Sequence, residues 1–100
     1  MSLIIYEVNL KIEPEIASEF VAWLKQHVRD MLQIPGFKSA EIFQEESNEP
    51  ILQLCVKYHV GSREELEDYF KILAPSMRAQ GIEKFGQLFK ASRRILYAIA

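Results

Sequence analysis

A chain of 100 residues with ordinary apolar content, residues 1–100, reads as one domain able to bury a modest core. Its formal charge of −2 points to no dedicated polyanion partner, and a lone cysteine, Cys55, excludes an intrachain disulfide and fits a reducing, cytoplasmic setting. No window reaches the length of a membrane span, and SLIIYEVNLKI already carries charge and alternation by Glu7, so it reads as a strand and not a signal peptide.

Charge is uneven along the chain. Residues 1–77 hold 7 basic and 13 acidic side chains, whereas residues 78–100 hold 5 and 1. A folded chain whose two ends neutralise each other accounts for this more simply than a nucleic-acid tail.

Ile4, Tyr6, Val8, Leu10 and Ile12 alternate with Ile5, Glu7, Asn9 and Lys11, the mark of a half-buried strand. The stretch from Pro14 to Phe37 then predicts one long amphipathic helix closed by a Pro-Gly turn. Pro14 suits a first helical turn, and Glu13, Glu15 and Glu19 sit at the positive end of the dipole. Ala17, Val21, Leu24, Val28, Met31 and Leu32 form the buried stripe, with Phe20 at its edge. Ile16, Trp23 and His27 widen that stripe on one shoulder, and Trp23 and His27, four apart, are surface neighbours. Such a pair offers flat apolar bodies with polar tips that can line a small-molecule pocket. It equally describes a Trp filling a sheet edge and a His bonded to backbone or water.

Phe37 to Glu46 predicts a second strand, Ser47 to Pro50 a turn, and Ile51 to Val60 a third strand, together a hairpin. Ser62 with Glu65 forms a capping box for a helix whose buried stripe is Leu66, Phe70 and Leu73, flanked by Tyr69 and Ile72. Ala74-Pro75 breaks that helix. Pro75 opens a short extra helix to about Phe85, weakened by Gly81, and Leu88 to Ile99 is the last strand.

The order is β-α-β-β-α-β with an extra short helix before the last strand. This predicts an α+β, ferredoxin-like domain: a four-stranded antiparallel sheet with its helices on one face. Glu7, Asn9, Gln53, Cys55, Lys57 and His59 fall on the other face, joined by Ile5, Ile51, Phe37 and Phe43 from the odd set of each strand. A face so mixed suits partial coverage by a second copy, giving a homodimer with a barrel-like interior in which Glu7, Glu41, Lys57 and Arg93 pair or stay hydrated.

WLKQHV (Trp23–Val28), IPGF (Ile34–Phe37), YFKILAPSMRAQGIEKFG (Tyr69–Gly86) and ASRRIL (Ala91–Leu96) carry a resemblance over nearly the whole chain. The arrangement resembles the dimeric α/β-barrel superfamily and, more narrowly, is similar to a small bacterial family of unknown function within it. The resemblance implies the fold and the dimer and brings no catalytic residues. Related members often place a His where Leu73 stands, so a two-histidine scheme lacks its second member here. Several relatives bind small organic molecules between helices and sheet, cofactor-free oxygenases and isomerases among them.

Chemistry-bearing patterns are sparse. His27, His59 and Cys55 lie on different elements, and the shared strand face of Cys55 and His59 separates them too far to chelate alone, so no metal site is expected. Glycine-rich phosphate loops are absent, and no cofactor is expected. RNA recognition on this strand order needs aromatics on the open sheet face, whereas Tyr6 and Tyr58 fall on the helix side, so no nucleic-acid partner is expected.

The remaining candidate is a cleft between helices and sheet where Tyr6, Trp23, His27, Tyr58 and Tyr69 converge, with His27 as proton acceptor. The competing expectation is a non-catalytic dimeric module in which these side chains only pack. No reaction is readable in the residues.

Overall fold

The computed structural model describes residues 4–99. Four antiparallel strands, β1 (Ile4–Ile12), β2 (Phe37–Gln44), β3 (Leu52–Val60) and β4 (Phe89–Tyr97), lie in the order β2-β3-β1-β4. Helices α1 (Ala17–Met31), α2 (Arg63–Ile72) and α3 (Ala74–Phe85) complete a ferredoxin-like α+β fold. None is long and apolar enough to cross a membrane.

The core lies between helices and sheet. β1 and β3 pair Tyr6 with Tyr58, Val8 with Val56 and Leu10 with Leu54, and α1 lowers Phe20, Leu24, Val28 and Met31 onto them. Phe20 is fully buried while Ala17 and Val21 are only half-buried, so the stripe of α1 is centred on a residue expected at its edge. Pro14–Ile16 forms a separate 3-10 turn, and α1 proper starts at Ala17. On α2 the buried residues are Leu66 and Tyr69, whereas Ile72, expected to flank the stripe, is exposed.

Ser62 caps α2, its Oγ accepting from the Glu65 N–H at 3.1 Å and donating to the Glu65 carboxylate at 3.0 Å. Gly36, at φ 91°, brings the α1–β2 turn so close to Glu65 that a Cβ would lie 2.5 Å from its carboxyl carbon. The turn therefore needs glycine for both backbone and space.

Two strand phases differ from the sequence expectation. The β2–β3 register shifts between Phe37 and Ser39, and this bulge at Lys38 turns Phe37 inward, where its ring meets Tyr58 and Tyr69. Phe37 thus belongs to the core, not to the far face. On β4, Arg93 sits opposite Val8 and faces the helices, and Arg94 sits opposite Glu7 on the far face. The partner of Glu7 is therefore Arg94 and not Arg93.

Glu7 is a buried carboxylate on that far face, accepting from Arg94 Nε and from Asn9 Nδ2 at 2.9 Å. The Arg94 guanidinium, helped by Asn9, holds its carboxyl below the usual range against the opposing effect of burial. A folded-state value below the unfolded one means this pair stabilises the fold above the ordinary carboxyl pKa and is lost as pH falls through the folded value. Urea midpoints measured across the acid range should fall with pH in the native chain and fall less steeply in Glu7→Gln.

Candidate functional site

One cavity of about 50 Å³ opens between α1, α3 and the sheet. Tyr6 from β1, Tyr58 from β3, Tyr69 from α2, and Trp23 and His27 from α1 all line it, so the five residues expected to converge do share one space. α3 supplies Met77, Arg78 and Gly81 on the remaining side, and β4 supplies Phe89 and Arg93.

Strand alternation places the two tyrosines. Tyr6 and Tyr58 are cross-strand partners on β1 and β3, their rings 5.9 Å apart at 24°. Tyr69 reaches them from α2, its ring 5.8 Å from that of Tyr6. Burial, the largest cause in each, pushes the Tyr58 and Tyr69 phenols well up, so both stay protonated and can act as hydrogen-bond donors. The Tyr6 hydroxyl accepts from Arg78 Nη2 at 3.2 Å.

The opposite wall is a stack on α1. One helical turn brings the Trp23 and His27 rings to 4.7 Å at 19°. Burial lowers the pKa of His27 more than nearby Asp30 raises it, and Arg93 lowers it further. The imidazole is therefore neutral at pH 7 and keeps one nitrogen as acceptor. Its Nδ1 is buried with no hydrogen-bond partner among the described residues. No backbone group among the described residues pairs with this nitrogen, and a bond to water is the form of the packing-only expectation that stays open. Buried polar atoms are nearly always paired, so this one calls for a physical account.

Gly81 had read as a weak point in a helix; its position gives the reason. A Cβ there would lie 3.0 Å from Trp23 Cη2 and 3.2 Å from Phe89 Cζ, so glycine lets α3 lie this close to the aromatic wall, and a side chain would have to push those rings back by a few tenths of an ångström. Arg78 and Arg93 were absent from the sequence-derived site. Arg93 was the more legible of the two, since counting in twos from Phe89 through Ala91 to Ile95 puts it on the inner face. Arg78 lies on a helix without a clear apolar stripe and had no comparable signal.

Residues 3–99 match the family described as a domain of unknown function (DUF4286). The chain belongs to that family. None of the curated proteins matches.

Among solved structures, this DUF4286 chain is similar to a dimeric ferredoxin-like protein from an uncultured marine organism, at TM-score 0.79 and 7% identity, covering 100% of this chain and 98% of that one. It is also similar to SnoaB, a cofactor-independent oxygenase from Streptomyces nogalater, at 0.74 and 10% over 100% and 96%. A conserved protein of unknown function from Bacteroides thetaiotaomicron gives 0.70 and 14% over 97% and 98%. At such identities the likeness concerns the fold alone.

Proposed function

We propose that this DUF4286 chain binds a small organic molecule in the cavity beneath α3. The observation that supports it most is the buried, unpartnered Nδ1 of His27 beside a space lined by tyrosines. A ligand hydroxyl or acidic C–H would give that nitrogen its missing partner. Removal of a proton from the ligand by neutral His27, without a cofactor, is the chemistry these residues support. SnoaB, which shares the fold, is described as a cofactor-independent oxygenase.

The same reading includes a homodimer joined through the far faces of two sheets. Phe43 is 48% exposed there opposite half-buried Cys55, and half-buried Ile5 and Leu96 lie farther along the same face. A similar fold, that of the marine protein, is described as dimeric. The free thiol of Cys55, raised by burial, suits a reducing compartment such as the cytoplasm.

A second reading, a dimeric module whose aromatic side chains only pack, draws on the small size of the cavity. Mass spectrometry of molecules retained by the purified protein separates the two. The binding reading expects one or a few compounds enriched on the native chain and lost from His27→Ala at unchanged fold. Identical, empty spectra for both proteins would leave only the packing module.

A further inference from the structure

The cavity has a charge signature that none of the five convergent residues explains. Two guanidinium groups, Arg78 from α3 and Arg93 from β4, line it, and no carboxylate does. Among the described residues the ion pairs are His59 with Glu41, Arg63 with Glu67 and Arg94 with Glu7, so neither cavity arginine has an acidic partner within 4.0 Å. The contrast within one dipeptide is informative. Arg94 turns to the far face and meets the buried Glu7, while Arg93 turns inward and meets none. In a chain of net charge −2, two unneutralised cations at one opening are the complement of an anion.

The rest of the lining describes what the anion is attached to. Trp23, Phe20 and Phe89 present aromatic rings, with Phe20 5.5 Å from Trp23 and 5.0 Å from Phe89. Resting on the reading of this cavity as a ligand site, we infer that its ligand is an aromatic carboxylic acid. The ring lies against Trp23 and Phe89, and the carboxylate lies at the mouth between Arg78 and Arg93. A planar guanidinium offers paired donors that match two carboxylate oxygens, and both arginines are exposed enough to receive a group that stays near water. Arg78 is already oriented by its bond to the Tyr6 hydroxyl. At about 50 Å³ the cavity is smaller than the roughly 150 Å³ that admits benzene, so the ring enters as the flexible Met77 side chain gives way.

Trp23 is the chain's only tryptophan, so its fluorescence reports on this cavity. Benzoate and benzamide share a ring and a size and differ in charge. Benzoate should perturb Trp23 emission with an affinity about tenfold or more above that of benzamide, the advantage shrinking with added salt. Arg78→Met and Arg93→Met keep the apolar stems. Each should weaken benzoate about tenfold and leave benzamide within about twofold, while Arg29→Met on the outer face of α1 leaves both unchanged. Thermal melts of the variants show whether a loss reflects unfolding, and Arg93→Lys should recover part of the affinity if charge is the cause.

Equal affinity for the two probes, or benzoate binding untouched by both substitutions, would overturn the anion assignment and leave a neutral ligand in the same cavity. Silence from both probes would overturn the aromatic-acid assignment. In that case the retained-compound search, run independently, decides whether the cavity binds anything.

Discussion

Replacing Phe20 by Ala should destabilise the fold by about 3–5 kcal/mol, the range for removing a fully buried aromatic ring. Phe20 is completely buried, and its ring lies 5.5, 5.1 and 5.0 Å from those of Trp23, Phe85 and Phe89. These partners come from α1, the end of α3 and the start of β4, so one side chain holds three elements around the cavity. For a domain of this size the loss is a large part of a total stability of about 5–15 kcal/mol. Chemical denaturation should show an earlier midpoint with unchanged slope. A loss below about 1 kcal/mol would mean that this cluster is looser than the ring distances indicate.

Placing a lysine at Phe43 should dissociate the proposed dimer. Phe43 projects from β2 on the far face with the Lys57 ammonium 5.6 Å from its ring, so Phe43→Lys sets a second cation beside an existing one. Burying that charge against a twin surface should raise the dimer dissociation constant by about a hundredfold or more. In a single subunit the site is at the surface, where the substitution should change stability by within about 0.5 kcal/mol. Sedimentation equilibrium of both proteins reads the difference. A native chain that stays monomeric at all concentrations, or a variant that associates as well as the native chain, would remove the sheet-to-sheet dimer.

Much of the fold was legible because its rules are local. Period-two alternation marked β1 and β3 and put Tyr6 and Tyr58 on the helix side, and Ser62 with Glu65 marked the start of α2. The bulge at Lys38 was not legible. Nothing in FKSAEIFQ states that one residue drops out of the ladder, so Phe37 was expected on the wrong face. Arg93, beside Arg94, was expected on the far face, although counting in twos through Phe89, Ala91 and Ile95 puts it on the inner one, where the pairing of β4 with β1 holds it. For the site, helical spacing sufficed to join Trp23 to His27, and strand phase to join Tyr6 to Tyr58. Arg78 and Gly81 depend on how α3 settles over the sheet. That is a long-range packing outcome, which no window of sequence contains.

The claim on which the functional account rests is that the space beneath α3 is a binding site and not a packing fault. A fragment screen followed by NMR tests it most directly, with the Trp23 indole N–H and the His27 imidazole as reporters on the cavity wall. The account predicts hits that shift both resonances together in the native chain and shift neither in Val8→Phe, whose larger side chain rises from the sheet floor into the cavity. Hits scattered over other surfaces, or shifts at Trp23 and His27 that persist in Val8→Phe, would contradict it.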